Sequence, residues 1–283
     1  MSRKSEIVIL ATYWNEIDWI KLSLTQIDKI NPKRVIICDG CFDPKYTNES
    51  TDGTKDIIDD YAKSRENVTV ISAVRKRKIS HLFDWLLFKS HHKFGLIAKL
   101  LYIPKLLRFN VYRLNQMSTF QLMLDNYSNI RNDEWFMTYD CDQFYADEII
   151  TKIHNIYRYS AYELLTSKEK TFFGDFNSFT ETYEKRDYNN MPHRYFEGLR
   201  FIPTRHPAKI MRLGYKNISD VSTKKIFIGE VYHYHLRSPQ RENLAFNLGD
   251  RRPPNKNRTI TKPFKGSHPK IIQDWIDEHE QLL

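Results

Sequence analysis

The chain reads as an α/β domain whose mostly parallel central sheet is flanked by helices and carries a basic helical insertion. Three observations predict this. Apolar runs of strand length, over Ile7 to Leu10, Val35 to Cys38 and Val68 to Val74, alternate with segments of helical periodicity, as β-α-β crossovers do. The first of these runs is apolar on both faces, which suits a strand covered by helices on both sides. Residues 75–108 then break the rhythm, with nine Lys or Arg against one acid, Asp84.

The elements follow in order. The first strand covers Glu6 to Thr12, and Tyr13-Trp14-Asn15-Glu16 makes the turn at its end. Asp18 to Ile30 places Ile20, Leu24 and Ile27 on one helical face, and Asn31-Pro32 stops it. The second strand, Val35 to Cys38, ends in Asp39-Gly40, a carboxylate at the edge where open α/β sheets bind ligands. A polar loop, Cys41 to Ser50, leads to Ser50-Thr51-Asp52-Gly53-Thr54, whose Ser/Thr and Asp-Gly are helix-start chemistry for Lys55 to Lys63. Val68 to Val74 is the third strand.

In the basic segment, Ile79, Leu82, Phe83, Leu86 and Leu87 recur at helical spacing, widened by Trp85 and Phe88. Phe94 to Leu107 is again apolar, with Lys99, Lys105 and Arg108 interspersed. Two readings stand: a helical insertion packed on the core with a solvated basic face, or an interfacial helix pair docking on anionic lipid or a lipid-linked acceptor. Nucleic acid is a third partner to weigh.

Tyr112 to Tyr127 reads as a helix feeding the strand that runs from Trp135 into Asp140 and Asp142, and Ala146 to Tyr159 as another helix. Thr171 to Arg205 is aromatic and mixed, offering Asp175, Glu181, Glu184 and Glu197. Lys225 to Leu236 reads as a strand, Pro253 to Ser267 as a basic, loop-like stretch, and His268-Pro269 open a last amphipathic helix with Ile271, Ile272, Trp275 and Ile276.

Asp140-Cys141-Asp142 is the chemical centre of this pattern. Strand alternation sends both carboxylates to one side, where they repel unless a cation sits between them. Mg²⁺ or Mn²⁺, bound by oxygen ligands and bridging to phosphates, meets that need; a solvated turn is the plain alternative. His233 and His235 share a face by the same period, and one imidazole completing an oxygen-rich site suits Mn²⁺. Packed or surface histidines are the competing reading. Cys38-Asp39-Gly40-Cys41 lacks the second Cys pair of a structural zinc site and precedes a loop rather than opening a helix. Asp39 as a ligand-binding carboxylate is the expectation there.

Hydrophobic residues are 41% and charged residues 28% of the 283 residues, which points to a folded chain rather than a disordered one. The start, MSRKSEIVIL, has no secretory h-region. No apolar run reaches membrane-spanning length, and three cysteines make no disulfide framework. A reducing cytoplasm is the expected location, with peripheral contact at the inner membrane face through 75–108. The net charge of +9 resides mostly in that segment.

In this order, the motifs resemble glycosyltransferases of the GT-A fold, close to the family 2 type. Ile7 to Glu16 resembles the family's opening strand and turn. Asp39-Gly40 with Ser50-Thr51-Asp52-Gly53-Thr54 resembles its D-G-S-T-D-G-T run, interrupted here by about nine residues. Tyr139-Asp140-Cys141-Asp142 matches the metal-binding Asp-X-Asp. Val231 to Ser238 resembles a late His-aromatic stretch followed by Arg-Ser, and Gly266-Ser267-His268-Pro269 is similar to another late feature. The resemblance runs from Ile7 to about Ile276, excluding 75–111.

The resemblance implies a single Rossmann-like GT-A domain over 1–283, with a helical insertion at about 75–111 and a C-terminal helical tail at about 253–283. It implies a nucleotide-sugar donor, with Thr12, Asn15 and Glu16 at its site. Asp39 would accept from the base or lie near the ribose. Asp142 would hold Mn²⁺ or Mg²⁺ directly, and Asp140 would reach the ribose, the metal or its water shell. His233 or His235 would add a metal ligand, and Arg237 would steady the diphosphate. Inverting transfer needs a general base; Glu197 is the first candidate and Asp175 the second. The acceptor would be a surface glycan, lipid-linked ones included.

Two rival classes are weighed. A metal-dependent nucleotidyltransferase or phosphohydrolase would use the same acids, but the turn Thr12-Tyr13-Trp14-Asn15 has no Gly-rich phosphate loop. A nucleic-acid-binding protein would display aromatic and basic residues on a sheet or groove, whereas those of 75–108 have helical spacing.

Overall fold

The computed structural model describes residues 5–87, 95–173, 175–180, 191–202, 209–212, 224–235 and 261–279. The sheet grows outward from its most apolar strand. β1 (Ser5–Tyr13) buries Ile7, Val8, Ile9 and Leu10 completely, each stabilising the fold by about 2 kcal/mol relative to exposure. β2 (Pro32–Asp39) and β4 (Trp135–Tyr139) flank β1 in parallel, and β3 (Val68–Ser72) lies parallel beyond β2. Alternation sorts the side chains: Ile7, Ile9, Val35 and Ile37 enter one core, Val8, Leu10, Ile36 and Cys38 the other.

The helices cover both faces. Ile20, Leu24 and Ile27 of α1 (Ile20–Ile30) and Ile58 of α2 (Thr54–Lys63) join the first core. α1 stops where Asn31 turns left-handed (φ 52°) and donates its N–H to the carbonyls of Ile27 and Asp28. Met117 and Phe120 of α5 (Val111–Leu122) fill the second core. A π turn, Met123–Tyr127, carries that helix on. The helix expected over Ala146 to Tyr159 breaks at Asn155 into α6 (Asp147–His154) and a 3-10 turn, Ile156–Tyr159. There the Asn155 amide donates to the Thr151 carbonyl, competing with the backbone.

The second half of the sheet differs most from expectation. β6 (Leu164–Phe173) occupies a stretch that had no assigned element, and it runs parallel to β11 (Lys225–His235). β5 (Gln143–Tyr145) pairs antiparallel with β11, and β8 (His193–Arg194) lies antiparallel to both β4 and β6. β7 (Ser178–Thr180) and β12 (Thr261–Pro263) finish the edge, giving the order β12-β7-β6-β8-β4-β1-β2-β3 with β11 beside β6 and β5. β12 replaces part of the expected loop; residues 253–260 lie outside the described ones. β9 (Leu199–Ile202) and β10 (Lys209–Arg212) form a separate antiparallel pair, with Phe201 stacked on Phe120.

The insertion is helical as expected: α3 (Lys78–Leu87) and α4 (Gly95–Arg108). Its packing face is not the apolar stripe. His81 and Trp85 point inward, while Ile79, Phe83 and Leu87 are exposed. Polar partners decide this. His81 bonds Ser118 and Asn115 of α5 at 3.0 and 2.8 Å, and the Trp85 indole donates to the Lys99 carbonyl at 3.0 Å. α7 (Lys270–His279) closes the chain against α1, with Trp275 5.7 Å from Trp19, ring to ring.

Candidate active site

The parallel strands place their C-terminal ends on one edge. Asp39 ends β2 in register with Tyr13, and Asp140 follows Tyr139, which pairs with Ala11. Only β1 separates Asp39 from the acid pair, about 10 Å at ordinary strand spacing. Half-buried Thr12 lies on β1 between them.

The first half of the site is a clasp between two loops. The Ser50 N–H donates to both Asp39 oxygens, at 3.3 and 3.2 Å, and its hydroxyl bonds Oδ1. Ser50 Oγ also accepts from the Asn15 N–H at 2.9 Å, and Asn15 Oδ1 accepts from the Thr51 N–H at 2.8 Å. The Glu16 N–H donates to Thr54 Oγ1 and the Ile17 N–H to Asp52 Oδ2. Asn15 and Gly53 are left-handed, with φ of 52° and 96°. Ser50 therefore does not cap α2; Asp52 bonds the Thr54 N–H at 3.0 Å beside Gly53. The interrupting residues close on themselves through Cys41 N–H to Asn48 carbonyl, 2.8 Å, which returns Ser50 to Asp39. Burial raises the Asp39 carboxyl above its ordinary value, and the Ser50 bonds oppose that shift.

The second half is the turn between β4 and β5. Asp140 and Asp142 occupy this turn rather than a strand, so strand alternation does not orient them. Asp140 is half-buried and accepts from the Gln143 amide at 3.1 Å; Asp142 is buried. Gln26 of α1 holds both flanking strands. It donates to the Gln143 carbonyl at 3.0 Å, accepts from the Tyr145 N–H at 2.7 Å and meets the Tyr139 hydroxyl.

β11 delivers the imidazole. His233 pairs in register with Gln143, and the Tyr234 N–H donates to the Asp142 carbonyl at 2.9 Å. His233 Nε2 lies 2.9 Å from Asp142 Oδ1, and Nδ1 2.8 Å from Glu169 Oε1. The Thr171 hydroxyl donates to that same Glu169 oxygen at 2.7 Å. Burial alone would lower the His233 pKa. The Asp142 and Glu169 carboxylates outweigh it and push the imidazole up to about 9. Glu169 went unanticipated because Lys168-Glu169-Lys170 resembles a loop. The aromatic end of its strand, Thr171-Phe172-Phe173, is the available signal.

The other expected residues fall differently. Glu197 follows β8, which runs antiparallel to β4, so it sits by the N-terminal end of β4 and takes the Asn132 side chain on its N–H. It is on the sheet edge opposite the acid pair. Asp175 caps the β6–β7 turn, accepting from the N–H groups of Asn177 and Ser178 and from the Ser178 hydroxyl. Arg237, Glu181, Glu184 and the His235 side chain lie outside the described residues. Cys38 and Cys41 enter different apolar clusters, so the Cys-X-X-Cys forms no paired site.

Asp142 and His233 suit a divalent ion. A metal-bound imidazole commonly donates its other N–H to a carboxylate, and Glu169 stands where such a partner would be. Their 2.9 Å separation also fits neighbouring ligands on one ion, which at about 2.1 Å each and a right angle stand about 3 Å apart. No cluster of three His, Cys, Asp or Glu side chains poised for a metal occurs among the described residues. Two protein ligands, with water and substrate phosphates, are what such an ion would use.

The parallel β3-β2-β1-β4 core, the antiparallel β8 and the flanking helices make this a Rossmann-like α/β fold of the GT-A kind. No family model and no curated protein matches the chain. Among solved structures it is similar to S. aureus TarS 1-349, at 14% identity and TM-score 0.35, over 68% of this chain and 47% of that one. A second structure, of S. aureus TarS, is similar at 13% identity and TM-score 0.35, over 68% of this chain and 28% of that one. The chain thus spans less than half the length of those structures.

Proposed function

We propose that this protein is a metal-dependent glycosyltransferase that moves a sugar from a nucleotide-sugar donor to a glycan acceptor, with inversion. The observation that carries the proposal is the Asp142–His233–Glu169 chain on the same sheet edge as the Asp39–Ser50–Asn15 clasp. One half offers a positioned carboxylate for a nucleoside. The other offers ligands for a cation beside a diphosphate.

Asp142 and His233 would hold Mn²⁺ or Mg²⁺, with Asp140 reaching the ribose or the metal's water shell. When bound, the ion supplies Lewis-acid stabilisation of the diphosphate leaving group. Glu169 would keep the proton on Nδ1, leaving Nε2, beside Asp142, to bind the ion once its own proton is lost. Gln26 holds the turn, and Ser50 orients Asp39. Arg237, just beyond β11, would add a charge-assisted contact to the diphosphate. An acceptor-activating base belongs on this edge, which favours a residue other than Glu197.

A thermal-shift screen of nucleoside diphosphates and their sugars, with and without Mn²⁺, tests this. A ligand at a hundred times its Kd stabilises by about 2.7 kcal/mol, so the true donor stands out. The expected hit needs Mn²⁺, and Asp142→Asn loses both the Mn²⁺-dependent shift and sugar transfer while staying folded. Transfer undiminished in excess EDTA overturns the proposal. Release of pyrophosphate from a nucleoside triphosphate would point to a nucleotidyltransferase instead.

A further inference from the structure

We infer that α3 and α4 form a docking surface for an anionic lipid bilayer. Eleven large hydrophobic side chains are exposed among the described residues, and seven of them lie on these two helices. On α3 they are Ile79, Phe83 and Leu87, at i, i+4 and i+8, with Leu87 78% exposed. On α4 they are Ile97, Leu100, Leu101 and Leu107, in one helical stripe, with Leu101 76% exposed. Trp85 and Leu106 pack on Leu114 of α5, so each stripe lies away from that buried contact. Exposed apolar stripes rimmed by charge mark an interaction surface.

Charge selects the occupant. Residues 75–108 carry nine Lys or Arg and one acid, Asp84, which Lys76 engages at 2.8 Å; Lys99 is buried, donating to the Leu86 carbonyl, and adds nothing to the surface. Arg77 and Arg108 are exposed at the base of the helices. A second copy docking face to face would oppose two such basic surfaces, whereas anionic headgroups complement them. α4 has 14 residues, about 21 Å, shorter than the roughly 30 Å hydrocarbon core. No described helix is long and apolar enough to cross a membrane. The pair would lie in the plane of the interface.

The surface is tied to the candidate site. Arg75 donates to the carbonyls of Asp43 and Tyr46, in the loop that follows Asp39. Asn115 accepts from the Lys76 N–H and donates to the Phe42 carbonyl, each near 2.9 Å. The start of the insertion is therefore fixed beside the sheet edge that holds Asp39 and the acid pair. An acceptor carried on a lipid would be presented there; that last step rests on the glycosyl-transfer reading, while the docking itself does not.

The test is co-sedimentation of the full chain with vesicles of phosphatidylcholine alone or mixed equally with phosphatidylglycerol. The protein is expected to bind the mixed vesicles more than about tenfold more tightly, and to release as salt rises. Phe83→Asp with Leu101→Asp should weaken that binding by more than about tenfold, with circular dichroism and Tm unchanged because both side chains are exposed. Phe83→Ser with Leu101→Ser replaces the pair if the acidic version misfolds. Equal pelleting of wild type and variant, or no binding of wild type to mixed vesicles, overturns the inference. So does a wild-type dimer in sedimentation velocity that the variants split, since the stripes would then join two copies. Failure of the donor screen would leave this result untouched.

Discussion

His233 stands between two carboxylates, and each nitrogen has a separate partner. Nε2 faces Asp142 and Nδ1 faces Glu169. Glu169→Gln should weaken Mn²⁺ binding by about 10- to 100-fold, the usual effect of losing such an outer partner. Isothermal titration reads this directly, and binding of the nucleoside without metal should be unchanged. Unaltered Mn²⁺ affinity would remove Glu169 from the site. A second imidazole behaves in the opposite way. Burial pushes His193 down to about 4, against its bond to the Met191 carbonyl. The unfolded chain takes up that proton near pH 6.5. Between about pH 6.5 and 4 the unfolded state thus holds more protons, so stability falls with acidification, by about 3 kcal/mol from this residue. Urea melts across that window should show a shallower loss in His193→Gln; an unchanged slope would contradict the assignment. His233 was legible from a period-two pattern, but Glu169 was not, because charge in mid-strand looks like loop.

At the scale of elements, the loop after β2 shows how geometry is enforced. A Cβ on Gly40 would meet the Ala73 Cβ at 2.8 Å and the Ala73 nitrogen at 3.1 Å, leaving no room for a side chain beside β3. Gly40→Ala should cost about 1–3 kcal/mol, read as a lower denaturant midpoint at constant m. β6 is held by partners that no local window reveals. Lys170 pairs with Glu230 and lies over the rings of Phe179, Tyr232 and Phe264. α3 was visible as a helix but not in rotation, since His81 and Trp85 chose the inward face by hydrogen bonding.

The whole molecule is closed by its C-terminal segment. Phe264 stands edge-on to Phe172, the Tyr234 hydroxyl bonds His268 at 2.8 Å, and Trp275 meets Trp19. Burial lowers the His268 pKa, which suits a neutral partner for that hydroxyl. Trp275→Ala removes a half-buried ring from this cluster and should lower stability by about 2 kcal/mol, measured by thermal or urea unfolding. A change below a few tenths would mean α7 docks by its aliphatic residues alone.

The amino-acid order by itself determined the β1 to β4 core and its crossover helices, and marked the acid pair without its turn. Apolar runs and helical periods report burial, and burial is written locally. Tertiary structure decided the rest. It brought Glu169 to His233 across 64 residues, returned Ser50 to Asp39, sent Glu197 to the far sheet edge and turned the apolar stripe of α3 outward. Those outcomes follow from strand order, register and the polar partners found by each face, which are properties of the assembled sheet and of no single stretch within it.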